Sequence, residues 1–189
     1  MSMSQTQTQT LAGPVYSPAQ RAVHWLHAGL VLTALPLGII IGKAAPGTFS
    51  DAAMNGLYNA HRSFGFMVLA VAVLRVAARI ANGAPPPVPT LTPFERIAST
   101  AVHHLLYVMI FLVPLLGWAG TAAYRAEITV FGLFNLPHFV GEDRALSEKL
   151  LGAHGAAAML LALLVAAHIG GALMHLIVKK DGVFRRMWP

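Results

Sequence analysis

Four long apolar stretches dominate the hydrophobic pattern of this chain, at about residues 22–42, 61–81, 100–123 and 150–178. Each reaches the roughly 20 residues that an α-helix needs to cross the hydrocarbon core of a bilayer. Residues 1–17 (MSMSQTQTQTLAGPVYS) are polar and Gln/Thr-rich, and read as a flexible N-terminal tail. They lack the basic n-region and apolar core of a signal peptide. The segment ANGAPPPVPTLTP, between the second and third stretches, predicts a stiff, extended connector. At its end Thr92, Pro93 and Glu95 read as N-cap, first-turn proline and capping-box acid, starting the third helix ahead of the membrane. Pro36 and Pro114 fall inside spans, where kinks are tolerated if neighbours satisfy the freed carbonyls. Residues 124–146 mix aromatics with both charges and read as an interfacial loop, with no internal repeat evident along the chain. The expected fold is all-α: an integral membrane four-helix bundle forming a single domain over residues 18–189.

Composition narrows the class further. Of 189 residues 56% are hydrophobic and 11% charged, against roughly 25% charged in a soluble domain. A bilayer accepts apolar surface that a water-soluble fold of this size could not hide. The net charge of +6 does not point to nucleic acid, because no basic cluster is interleaved with aromatics. Basic residues at membrane-helix ends account for it better, with lipid as the surrounding partner. Cysteine is absent, which excludes disulfides, thiolate zinc sites, iron–sulfur clusters and thioether-attached haem.

An even number of spans puts both termini on one side. That side and its helix ends carry Arg21, Arg75, Arg79, Arg96, Lys179, Lys180, Arg185 and Arg186. The other side carries Lys43, Arg62, Arg125, Arg144 and Lys149. The excess of basic residues predicts that both termini are cytoplasmic.

Histidine then supplies candidate chemistry. On the last stretch His154, His168 and His175 are fourteen and seven positions apart. At about 100° per residue they return to within roughly 40° and 20° of one another, so all three share a face. Ionisable groups inside a membrane are costly, and an aligned row of them points to function. His24 opens the first stretch and His61 the second, at opposite ends of the bundle. Matching depths pairs His24 with His168 and His61 with His154. Each pair could clamp one haem iron, and bis-imidazole ligation leaves no open position, favouring electron transfer over oxygen chemistry. A single intramembrane histidine is read equally well as simply bonding a neighbouring carbonyl; four matching in depth and phase are a stronger signal. His27 is placed to support haem packing, while His103 and His104 are weaker candidates at the start of the third helix. His138, beside Pro137, is expected to be solvated, and Met67, Met109, Met159 and Met174 to be packing residues.

Arg75 and Arg79 lie one turn apart near the cytoplasmic end of the second helix and are candidate partners for haem carboxylates. Lys43, Arg62, Arg125 and Lys149 are the far-side cations available to carboxylates or to an anionic donor. His175 lies about 10 Å beyond His168, too far to share its iron. It is the candidate catalytic residue, because an imidazole exchanges protons near neutral pH.

The ordered segments YSPAQRAVHWLH, AHRSFG, RVAARI, HHLLYVMIFLVPLLGW, LGAHGAAA, AAHIGGALMHLIVKKDG and RRMWP resemble the bacterial cytochrome b561 family from about residue 16 to the end. Those proteins are small four-helix di-haem b-type cytochromes of the inner (plasma) membrane. The resemblance implies two haem b groups with axial ligands His24, His61, His154 and His168. It also implies a quinone-linked oxidoreductase moving electrons between a periplasmic-side donor, in some members superoxide, and ubiquinone. The chain departs from many relatives at Leu176, where they carry a second histidine directly after the position of His175. Two other readings are an anchor subunit passing electrons for a partner respiratory enzyme and a histidine-based ion transporter. The transporter reading lacks a carboxylate relay, since no Asp or Glu lies mid-span.

Overall fold

The computed structural model describes residues 15–188. Four long helices carry the fold: α1 (Pro18–Lys43), α2 (Asp51–Asn82), α3 (Pro93–Ala123) and α4 (Arg144–Leu173). All four are long and apolar enough to cross a membrane. Their ends are set by capping chemistry rather than by hydropathy. At α3, Thr92 Oγ1 accepts the Glu95 amide at 3.3 Å, and Glu95 accepts the Thr92 amide at 2.9 Å, with Pro93 in the first turn. Ser17 and Gln20 make the same reciprocal box at α1. All four helices start earlier than their apolar stretches, α2 the furthest. Ser50 caps α2 at Asp51 and Asp143 caps α4 at Arg144. His61 therefore does not open its helix but lies ten residues inside it, about 15 Å from the first turn.

Consecutive helices are antiparallel. α1 packs chiefly on α2 and α3 on α4, and the α2–α3 and α1–α4 contacts close the ring. Ala72, Met109, Ile110, Val113, Leu161 and Leu164 form the main core, and Val31, Ala34 and Val68 a smaller one between α1 and α2. Leu32, Val73, Leu74, Val108, Leu163 and Ile177 are more than half exposed. Outward apolar surface on all four helices is what lipid, not water, would solvate. The molecule is an integral membrane four-helix bundle.

Its two ends differ. At the terminus end the chain closes on itself. The Tyr16 amide donates to Arg186 O (3.2 Å), Arg21 to Trp188 O (2.7 Å), Trp25 Nε1 to Met187 O (2.8 Å) and Arg186 to Pro86 O (2.8 Å). Lys179 pairs with Glu95, joining the end of the fourth helix to the start of α3. Tyr16 and Ser17, assigned to the tail by composition, are thus bonded to the bundle, while residues 1–14 lie outside the described residues. α4 continues as a π-helical turn, Met174–Lys179, closed by the Lys180 amide on His175 O at 2.8 Å.

At the opposite, loop end the 124–146 segment holds a short antiparallel hairpin, β1 (Thr129–Val130) with β2 (Phe134–Asn135). Ile128, Val130 and Leu136 tuck it against Phe66 and Trp118. Buried Ser63 on α2 fastens it, its hydroxyl donating to Asn59 O (2.7 Å) and accepting the Phe131 amide (2.9 Å). His138 is half-buried rather than solvated, bonded to Ala126 O at 3.1 Å. Ser63→Ala is expected to leave the Phe131 amide unpaired and lower stability by about 1–3 kcal/mol. Thermal unfolding in detergent measures this, and earlier proteolysis within 126–136 localises it.

Candidate functional site

Imidazoles from different helices meet inside the bundle. His24 of α1 and His168 of α4 have ring centroids 6.1 Å apart with planes at 71°. His61 of α2 and His154 of α4 have centroids 5.9 Å apart at 78°. Fourteen residues of α4 separate His154 from His168, about 21 Å along the axis, so the pairs occupy opposite halves of the bundle.

This spacing tests whether the pairs suit a metal held between them. With metal–imidazole bonds of about 2.0–2.1 Å and about 1.1 Å from nitrogen to ring centre, two trans imidazoles have centroids about 6.3 Å apart. Both pairs fall within about half an ångström of that. Among the described residues no cluster of three or more His, Asp or Glu could cage a metal unaided. A centre built on either pair therefore needs its remaining ligands from a group such as a porphyrin.

The loop-end pair is the more fully built. His61 Nδ1 donates to Ala34 O at 3.1 Å and His154 Nδ1 to Val113 O at 2.9 Å. A bond from one ring nitrogen to a carbonyl fixes the tautomer and leaves the other nitrogen free to ligate. A cavity of about 320 Å³ opens beside them, with Gly65, Gly155 and Lys43 on its wall, in the size range of cofactor sites.

At the terminus-end pair the imidazoles lack such anchors. His24 Nδ1 is buried without a partner, and His27, one turn on, is 1% exposed with neither ring nitrogen bonded. Buried, unsatisfied imidazoles cost about 1–3 kcal/mol each, and they fit a site completed by a bound polar group. His103 enters this cluster, its ring 5.1 Å from His168 and its Nδ1 on Ser99 O. His103 and His104 are both exposed to the bundle's surroundings, and His104 lies outside the cluster. Arg75 lies within electrostatic reach of His24, His27, His103 and His168, and its guanidinium sits 5.4 Å over the Tyr107 ring. Arg79 is turned outward onto Tyr16, 5.9 Å from ring centre.

The terminus end also holds a contact that helical phase does not reveal. His175, in the π-helical turn, donates from Nδ1 to Asp181 Oδ2 at 2.7 Å, and both side chains are nearly buried. Lys180 in the left-handed region (φ 53°), followed by Gly182 (φ 82°), turns the chain so that Asp181 comes back to His175. Burial alone would raise the Asp181 carboxyl. The bonds from His175 and from the Val183 amide outweigh it and hold the carboxyl below its ordinary value. The readable signal is the Lys-Asp-Gly sequence closing the last helix.

A lipid-facing bundle with two pairs of imidazoles meeting between its helices has the architecture of a b-type membrane cytochrome. The profile of the prokaryotic cytochrome b561 family matches residues 15–189. The chain belongs to that family and is a multi-pass bacterial membrane cytochrome, which implies haem b binding and electron transfer. It is 28% identical over 172 residues to cytochrome b561 homolog 2 of Escherichia coli, covering 91% of this chain and 90% of that one. It is 30% identical over 178 residues to cytochrome b562 of Cereibacter sphaeroides, covering 92% and 95%. To the probable superoxide oxidase CybB of Yersinia pestis it is 26% identical over 174 residues, covering 92% and 96%.

Proposed function

We propose that the chain binds two haem b groups, one held by His61 and His154 and the other by His24 and His168, and carries electrons across the bacterial inner membrane to ubiquinone. The observation that carries this reading is the pair of facing imidazole sets in opposite halves of one bundle. When bound, each haem would be held by its pair of imidazoles and would supply one-electron redox chemistry. The protein's own groups do the rest. Ala34 O and Val113 O orient the loop-end imidazoles. Lys43, at the cavity wall, is placed for an anionic haem carboxylate. Arg75 serves the same role at the other end, with Arg79 one turn further out and engaged by Tyr16.

The basic-residue bias puts the termini, and hence His175, on the cytoplasmic side. There the Nδ1–H of His175 is held by Asp181, leaving Nε2 to exchange a proton with a quinone oxygen. The relative named as a probable superoxide oxidase favours superoxide as donor at the loop end. The balance is then two superoxide anions oxidised to two O₂, with one ubiquinone taking two electrons and two protons.

Purified full-length protein is expected to bind two haems per chain and to reduce ubiquinone with superoxide unaided. Full haem content without turnover would favour the second reading, an anchor subunit serving a partner enzyme. Protein devoid of haem would reject both.

A further inference from the structure

The loop-end histidines share a structural device that the terminus-end pair lacks. An α-helical carbonyl is normally shielded from the side. The side chain four residues on tilts toward the N-terminus and lies over it. A group on another helix reaches such a carbonyl most readily where that later residue has no Cβ. Ala34, whose carbonyl receives His61, is followed four positions on by Gly38. Val113, whose carbonyl receives His154, is followed four positions on by Gly117.

In each case the imidazole lies in the space the missing methyl would fill. A Cβ on Gly38 would come within 2.8 Å of His61 Cε1 and 3.3 Å of Nδ1. A Cβ on Gly117 would come within 3.0 Å of His154 Nδ1 and 3.1 Å of Cε1. Gly29, on the same helix as Gly38, has nothing within 4 Å, so close contact is not general to the bundle's glycines. Each seat also contains a proline, Pro36 and Pro114, so α1 and α3 carry equivalent seats for α2 and α4.

The consequence is electronic as well as steric. A carbonyl accepting the second ring N–H makes an imidazole a more basic ligand. A more basic ligand favours the oxidised metal and lowers its reduction potential, one of the levers a protein has on a haem. At the other end His24 Nδ1 is buried with no acceptor. We propose that the Ala34/Gly38 and Val113/Gly117 seats fix His61 and His154 as Nδ1–H donors and make the loop-end haem the lower-potential centre of the two. Gly38 and Gly117 are positioning residues in this arrangement. Electrons entering at the loop end then run downhill toward the termini.

This inference rests on the ligand assignment proposed above, and the experiment separates the two. Redox titration of the full-length haem-loaded protein, followed optically, resolves its spectral components. His61→Leu and His24→Leu identify which component belongs to which end. In the unsubstituted protein the component absent from His61→Leu should titrate lower. Gly117→Ala, the milder intrusion, and Gly38→Ala should raise that component alone. The expected size is at least about tenfold in its oxidised-to-reduced ratio at fixed potential, or about 59 mV for one electron. Gly29→Ala should move neither component.

Selective loss of the loop-end component in Gly38→Ala, with the other intact, also supports the seat. A loop-end component that titrates higher in the unsubstituted protein overturns the proposal. So does one that stays in place in both glycine variants. If instead His61→Leu and His154→Leu remove different components, the ligand assignment itself fails.

Discussion

His61→Leu and His154→Leu should each abolish the same haem absorption component, and His24→Leu and His168→Leu should each abolish the other. Iron per chain is expected to fall by half in all four variants, measured by metal analysis alongside the reduced-minus-oxidised spectrum. The reason is geometric: His24 meets His168, and His61 meets His154, with ring centres about 6 Å apart, and the pairs are separated by about four turns of α4. A single imidazole cannot complete the axial pair. Loss of a group that binds only the folded state also removes its linkage stabilisation, so thermal stability should fall with the iron. His103 makes the terminus-end variants more informative. Its ring is closer to His168 than that of His24 is, so His103→Leu is the control that should leave both components present. Should His24→Leu and His154→Leu extinguish one component together, the pairing is wrong.

The architecture was legible because bilayer physics leaves few alternatives. Four apolar stretches of sufficient length define four crossings, and Thr92–Pro93–Glu95 marked the start of α3 to the residue. Hydropathy could not see that α2 extends back to Asp51 or α4 to Arg144, since those first turns lie outside the apolar stretches and are fixed by Ser50 and Asp143. Phase and depth placed His24 level with His168 and His61 level with His154, and those rings meet. The carbonyls of Ala34 and Val113 were invisible, because backbone acceptors carry no residue signature. The glycines that expose them look like ordinary helix-packing residues. Each seat spans only five residues, too few to register as an internal repeat. The helical phase of His175 is readable in the sequence, whereas its carboxylate partner is not. Asp181 lies beyond the helix, and only the left-handed Lys180 brings it back.

His175→Ala should retain both haems, remain reducible from the loop end, and reduce ubiquinone about 10²–10⁴-fold more slowly, the usual loss on removing a general acid or base. The pair it forms with Asp181 is nearly buried and made at 2.7 Å, and Nδ1 is committed to the carboxylate, so Nε2 is the proton-exchanging atom. Asp181 acts through His175. Asp181→Asn should lower kcat with KM for quinone little changed, and Asp181→Glu should restore part of the rate. That split separates an orienting role from a structural one, which would affect haem content as well. The pH response follows from the depressed Asp181 carboxyl. A group whose folded pKa lies below its unfolded value stabilises the fold fully above the ordinary carboxylate range, near about 3.9. That contribution disappears as pH falls through the lower folded value. The terminus end should therefore keep its closed form throughout neutral and mildly acidic pH, and open only under stronger acid. Asp181→Asn should remove that acid transition from the unfolding profile. Quinone reduction at the unsubstituted rate by a haem-replete His175→Ala protein would exclude the dyad from proton delivery. Attention would then move to His103, the other imidazole beside His168.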